Sequence, residues 1–248
     1  MGERKRQRPR MIVFDYGGTI LWEPEFTALN GMREVCRYIT ANPLGLNAEQ
    51  INAHVRAAYE RIMDFKRMGA EVHQQQFMRL AYESIGLEFS VSYDELERIE
   101  WDAASPGAMV PHADELMRYL GEKGIRTGVI SNIGWSGKTL AERINRLLPD
   151  NRFEFVIASS EYGVRKPERL LFEAALRKAS LSAEEVWFCG DTPEADIVGA
   201  HSAGMYPVLY RGEPMESRTR SLSLDAVKDV DYLTLTDWRE LIALLEDM

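Results

Sequence analysis

Met11-Ile-Val-Phe-Asp15-Tyr-Gly-Gly-Thr-Ile20 runs four apolar residues into a carboxylate and then into a Gly-Gly-Thr turn. The run reads as a buried strand with Asp15 at its tip, where the backbone opens. Gly17 and Gly18 permit positive backbone dihedrals and close approach of main-chain amides, so the turn can cradle an anion beside Asp15. The segment also fits a tight turn in which Asp15 merely caps a loop or helix. Outward from it, β-branched or aromatic runs at 10–14, 127–130, 153–157, 186–189, 207–210 and 231–233 read as strands. Amphipathic helical segments separate them, such as 113–123, closed by Gly124 at a position that favours a left-handed cap, and 170–178. Strand, helix, strand predicts an α/β fold whose parallel sheet carries helices on both faces.

Residues 25–105 break this rhythm with four helical patterns and no convincing strand, so an all-helical insert is expected there. Phe26, Leu29, Met32, Val35 and Ile39 keep one helical face apolar. Asn47 with Gln50, and Ser92 with Glu95, have the spacing of capping boxes, flanked by Leu46 and Ile51 and by Val91 and Leu96 as hydrophobic staples. The exit at Ser105-Pro-Gly107 is a turn-forming cluster that suggests a hinge. The expected organisation is a basic tail at 1–10, a core domain at 11–24 and 106–248, and a cap at 25–105.

The 248 residues, 45% hydrophobic, suffice for one α/β core with an insert. The net charge of -9 would repel a nucleic-acid backbone, so none is expected as a partner. Five of the first ten residues are Arg or Lys, which reads as a solvated tail. The apolar stretch after it is too short for a secretory signal, and no segment is long and apolar enough for a membrane helix. Cys36 and Cys189 suggest neither a disulfide framework nor a zinc site. A cytoplasmic protein is the expectation.

A second chemical signal is Val186-Trp-Phe-Cys-Gly190-Asp191-Thr-Pro-Glu-Ala-Asp196, again a strand ending at a carboxylate, with another aspartate five residues on. Two carboxylates at a strand end suggest Mg²⁺, which takes oxygen ligands and keeps positions for waters and substrate oxygens. Asp191 is the expected direct ligand, with Asp196 acting through water or in support. Both could instead stabilise the helix that Pro193 begins. Ser131-Asn132 and Arg165-Lys166-Pro167 follow two other strands and offer a hydroxyl and a cation, or else a helix cap and an exposed lysine. Jointly these four elements fall on the carboxyl edge of one parallel sheet, where such folds bind ligands.

Strand-Asp-x-x-Gly-Thr, Ser-Asn, Lys-Pro and Gly-Asp-x-x-x-x-Asp, in that order, resemble the four motifs of the haloacid dehalogenase superfamily. The resemblance spans from Ile12 to about Ala203. It implies a Rossmann-like core, a cap domain between the first and second motifs, Mg²⁺ as cofactor, and hydrolysis of a small phosphorylated metabolite through an aspartyl-phosphate. It would make Asp15 the nucleophile and Lys166 the charge stabiliser. Gly18, Thr19, Ser131 and Asn132 would bind substrate, and Asp15, Asp191, Asp196 and the Gly17 carbonyl would serve the metal.

One departure stands out. Phosphatases of this superfamily usually place a second, acid/base aspartate two residues after the nucleophile, and here that residue is Gly17. Loss of a general acid typically lowers rates about 10²- to 10⁴-fold. Three other readings therefore stand beside phosphatase chemistry. One is a haloacid hydrolase, although Tyr16 lies one place after the nucleophile rather than two. Another is a phosphonate hydrolase using Lys66 as a Schiff base. The third is a non-catalytic binder of phosphorylated metabolites.

Overall fold

The protein is described by a computed structural model over residues 7–214 and 222–248. Residues 1–6 of the expected basic tail lie outside the described residues. Pro9 is already buried, and the main chain of Arg10 joins Glu185 and Arg126. Ordered structure thus reaches into the segment expected to be a solvated tail.

The strands, numbered along the chain, are β1 Met11–Phe14, β2 Leu21–Trp22, β3 Ile39–Ala41, β4 Glu88–Phe89 and β5 Ala108–Met109, then β6 Arg126–Ser131, β7 Phe153–Ala158, β8 Val186–Gly190, β9 Tyr206–Tyr210 and β10 Leu233–Leu235. Six of them form one sheet in the order β10-β9-β8-β1-β6-β7, with every neighbouring pair parallel. The chain runs outward from β1 through β6 to β7, then returns to β8 on the other side of β1. Strand order therefore reverses at β1, the geometry that opens a crevice beyond the carboxyl ends. The strand expected at 231–233 forms two residues later, where Leu233 pairs with Val208.

Alternation along β1 divides the core. Ile12 and Phe14 pack with Val129, Trp187 and Leu241 on one face, and Met11 and Val13 with Ile130, Phe172 and Phe188 on the other. Both faces are covered, the first by helices Ala113–Glu122, Gly137–Leu147 and Trp238–Glu246, the second by Arg169–Ala179 and Gly199–Ser202. No helix among the described residues is long and apolar enough to cross a membrane.

The insert holds four helices, α1 Ala28–Val35, α2 Ala48–Arg67, α3 Gln74–Glu83 and α4 Tyr93–Ala104, around an apolar cluster that includes Met32, Val35, Ile51, Met78, Tyr82 and Leu96. Both capping boxes form. The helical content of the insert is as expected, but it is interrupted by β3 and β4, which pair antiparallel. Ile39 therefore sits in a strand rather than on the α1 face, and Phe26, ahead of the helix, is half exposed. The β-branched pair Ile39-Thr40 favours extended backbone once β4 supplies a partner.

The stem of the insert is fastened. β2 pairs antiparallel with β5, Ser105 Oγ donates to Pro24 O at 2.9 Å, and buried Arg143 donates to Ser105 O at 2.8 Å. The exit segment that reads as a hinge is thus tied by hydrogen bonds to partners distant in sequence. Along α4, Glu97 accepts bonds from Ser136 N, Ser136 Oγ and Thr139 Oγ1 at 2.6, 2.6 and 3.0 Å, and so caps the 137–147 helix from outside.

Candidate active site

Asp15 follows β1, and its N–H donates to Cys189 O at 2.8 Å, continuing the ladder one residue beyond the strand. Ser131 ends β6 and Asp191 follows β8, so three strands from the centre of the sheet deliver side chains to one edge. Lys166 arrives from the segment after β7. Its position is fixed by Asn132, whose carboxamide donates to Lys166 O at 2.9 Å and accepts from Lys166 N at 2.7 Å. These residues line a cavity of about 550 Å³ together with Tyr16, Gly17, Gly18, Trp22, Glu23, Ile133, Arg165, Thr192, Ala195 and Asp196.

Like charges crowd its floor. Lys166 Nζ donates to Asp15 Oδ1 at 2.7 Å and to Asp196 Oδ1 at 2.6 Å. Asp15, Asp191 and Asp196 are all buried and offer ligand oxygens within 4.8 Å of one another. Burial pushes Asp15 up to about 6 against the pull of Lys166, and repulsion from Asp196 adds to the rise. Burial disfavours the charge on Lys166 too, but Asp15 and Asp196 outweigh it and hold the amine above the usual lysine range. Three carboxylates with oxygens this close together offer the hard ligands that a divalent cation such as Mg²⁺ takes.

The three carboxylates are not equivalent. Asp196 uses Oδ1 for Lys166 and Oδ2 for the Thr192 N–H at 2.8 Å, so both oxygens are committed to protein donors. A wide helical turn, Pro193–Val198, presents it, in keeping with the frequency of such turns at functional sites. A Cβ at Gly190 would lie 2.3 to 2.5 Å from the Asp196 carboxyl and its Cβ, so glycine is required before Asp191. Asp191 accepts from Thr192 Oγ1 at 3.0 Å.

The expected phosphate ligands divide. Ser131 lines the cavity and is buried. Gly18 lines it and takes a φ of 88°, but its N–H donates to Leu21 O at 2.7 Å, inside the turn. Thr19 is fully buried and lies outside the lining; its hydroxyl has no partner among the described residues, and its carbonyl accepts from Trp238 Nε1 at 3.0 Å. Gly17 faces open space: a Cβ added there would meet nothing within 4 Å, and its φ is not positive. Trp22 is at the wall, whereas Trp135 stacks on Trp101 at 4.8 Å, away from it.

Two lining residues carried no readable signal. Glu23 accepts from Tyr16 Oη at 2.5 Å and from Arg143 at 2.7 and 3.2 Å. Burial and the Glu23 charge push the Tyr16 hydroxyl far above its ordinary range. A phenol held protonated is a poor proton donor, and Glu23 is engaged by that phenol and by the Arg143 guanidinium. Arg165 was legible only as a neighbour of Lys166. Lys66, the candidate Schiff-base residue, ion-pairs with Glu71 at 3.0 Å and does not line the cavity.

The family profile described as haloacid dehalogenase-like hydrolase matches residues 9–204. Glyceraldehyde 3-phosphate phosphatase of Pyrococcus furiosus is 32% identical over 139 residues, 55% of this chain and 54% of that protein. Ribulose-1,5-bisphosphate 5-phosphatase of Halopiger xanaduensis is 30% identical over 118 residues, 48% of each. The chain spans about half the length of the curated relatives it matches. In fold it is similar to the 2-haloacid dehalogenase of Pseudomonas syringae pv. Tomato, with a TM-score of 0.63 at 20% identity, covering 96% of this chain and 99% of that one.

Proposed function

Because the chain belongs to the haloacid dehalogenase-like hydrolases, we propose that it is a Mg²⁺-dependent phosphatase acting on a small phosphorylated metabolite through an aspartyl-phosphate at Asp15. The observation that carries this reading is the lysine bridge at the sheet edge, where Lys166 Nζ contacts both Asp15 and Asp196 beside Asp191. Relatives named as phosphatases favour phosphate chemistry over carbon-halogen cleavage.

In this reading Asp15, Asp191 and the Gly17 carbonyl would hold Mg²⁺, with Asp196 supporting them while it fixes Lys166. Bound there, the metal would supply positive charge beside Asp15 and so ease the approach of a phosphate dianion. Asp15 attacks phosphorus in line; the ester oxygen leaves with the electron pair of the broken P–O bond. Ser131 and Lys166 hold the phosphoryl oxygens, and Asn132 keeps Lys166 in register. Water then attacks the acyl phosphate, freeing inorganic phosphate and Asp15. The insert at 25–105 acts as the cap that closes the cavity, and the core comprises 11–24 and 106–248. Two free cysteines suit a reducing cytoplasm, where we place the reaction.

Among the described residues, none that lines the cavity takes over the role of the missing acid, since Glu23 and Tyr16 are bound to each other and to Arg143. The leaving group must then depart with little proton assistance, so substrates with acidic leaving groups should react best. The test is phosphate release from a panel of phosphorylated metabolites and acyl phosphates, with and without Mg²⁺. Metal-dependent release that vanishes in Asp15→Asn supports the proposal. Binding of the panel without release by the wild type would leave a binding protein instead.

A further inference from the structure

Arg165 and Lys166 are consecutive, line the same cavity, and do different things. Lys166 turns to the carboxylates at the floor, whereas Arg165 is held at the wall by Glu71, a residue of the insert. The loop carrying Glu71 is zipped to the loop carrying Arg165: Ala70 bridges Val164 antiparallel, Arg165 N donates to Gly69 O at 3.0 Å, and Glu71 N donates to Gly163 O at 2.9 Å.

The Glu71 carboxylate has a fully buried side chain and is crowded with donors. Lys66 Nζ lies 3.0 Å from Oε1, Ser159 Oγ donates to Oε2 at 2.9 Å, Val72 N donates to Oε1 at 3.1 Å, and Arg165 contacts Oε2. Two cations share this one carboxylate. Lys66 Nζ also lies 3.8 Å from where a Cβ on Gly134 would stand, next to cavity-lining Ile133. Arg165 thus brings a cation to the wall of the cavity, while Lys66, outside the lining, shares its carboxylate.

We propose that Arg165, positioned by Glu71 and supported by Lys66, binds a second anionic group on the substrate, a carboxylate or a further phosphate. The preferred substrates are then phosphate monoesters with two anionic ends rather than esters of neutral alcohols. This rests on reading the floor as the phosphoryl site. A planar guanidinium suits either second group, because it offers paired donors to two oxygens. Glu71 takes one arm of that fork, Nη1, so an incoming anion shares the guanidinium with an internal carboxylate or displaces it. Lys66 keeps Glu71 compensated when that happens.

The test measures binding in Asp15→Asn protein with Mg²⁺, so that ligand is not consumed. Calorimetry compares 3-phosphoglycerate, which has a carboxylate at its far end, with glycerol 3-phosphate, which has none. The expected preference for 3-phosphoglycerate is about tenfold or more, the scale of one hydrogen-bonded charge pair. Adding Arg165→Met should bring the ratio close to one, and Arg165→Lys should retain part of it. Adding Glu71→Gln should raise the ratio by removing the internal competitor, whereas a purely structural role would weaken both ligands alike. A ratio near one in the starting protein, a ratio that Arg165→Met leaves unmoved, or a ratio lowered by Glu71→Gln overturns the proposal. Phosphate release by the wild type is measured separately, so loss of the phosphatase reading and loss of the second subsite are distinct results.

Discussion

Two charge clusters meet the cavity, one around Arg143 through Glu23 and one at the floor, and they are built differently. Around Arg143, two arginines meet two carboxylates: Arg143 contacts Glu23 at 2.7 Å and Asp102 at 2.8 Å, and Arg146 contacts Asp102 at 2.6 Å. The Arg143 guanidinium also reaches Ser105 O and Tyr16 Oη, and lies over Trp101 at 4.5 Å. At the floor, Lys166 contacts Asp15 and Asp196, and Asp191 lies beside them. The first cluster pairs its own charges and fastens insert to core. The second gathers three carboxylates within 4.8 Å of one another, the arrangement that the proposed Mg²⁺ and phosphate would complete. Asp15, Asp196 and Lys166 are buried, whereas Glu23, Asp102 and Arg146 reach solvent, so burial and the crowding of like charge together separate site from scaffold.

Breaking each cluster should give different losses. Asp15→Asn is expected to lower phosphate release by at least about 10³-fold while leaving the thermal transition nearly in place, since it removes one of several crowded carboxylates. Arg143→Met should do the reverse. It leaves Glu23 and Asp102 short of a partner; both reach solvent and Asp102 keeps Arg146, so the cost is about 2–3 kcal/mol, below that of a fully buried pair. Tm should then fall by roughly 10 °C. A variant of Arg143 that melts like wild type would show that this cluster does not hold the insert.

Gly17 offers a sharper probe, because its position faces open space at an ordinary φ. Gly17→Asp should raise the rate on alkyl phosphates by about 10²-fold and flatten the dependence of rate on leaving-group acidity across aryl phosphates. If the wild type already cleaves alkyl phosphates with a shallow dependence, another residue supplies the proton.

The smallest expected effect lies in the insert. Glu97 accepts from four donors, the three on Ser136 and Thr139 and Gln75 Nε2 at 2.9 Å, but among the described residues neighbouring Glu100 has only Gln74 Nε2 at 3.4 Å. Burial above all, aided by Glu97, pushes Glu100 from the ordinary 4.5 to about 7. The folded state therefore holds this proton more tightly than the unfolded chain. The stability it contributes is complete below about pH 4.5 and is lost as pH rises through about 7. Glu100→Gln should thus be more stable than wild type near pH 8 by up to about 3 kcal/mol, with little difference near pH 4. Urea melts at the two pH values check it, and an equal difference at both would contradict it.

What the sequence made legible is what local pattern determines. Apolar runs ending in Asp15, Ser131 and Asp191 located the strand ends, and the spacing of Asn47 with Gln50 located a helix start. Long-range pairing was not legible. Arg143 reaches Tyr16 across 127 residues and Glu97 reaches Ser136 across 39, and on a helix each reads as one more solvated charge. The same holds for Glu71, whose value to Arg165 depends on two loops meeting. Gly18 and Thr19 were placed on the phosphate by their order in the motif; Gly18 lines the cavity with its N–H engaged by Leu21, and Thr19 is buried outside the lining, contacts that motif order does not specify. The β3–β4 ribbon escaped notice because two or three residues are too few for a period to show.

Covalent bond formation at Asp15 is the central claim. A single-turnover reaction with a substrate that the panel identifies, quenched in acid and followed by peptide mass spectrometry, tests this directly. The peptide containing Asp15 should gain the mass of one phosphoryl group in the presence of Mg²⁺, and hydroxylamine should remove it. Phosphate release at full rate with no modification trapped on that peptide, or persisting in Asp15→Asn, would contradict the claim.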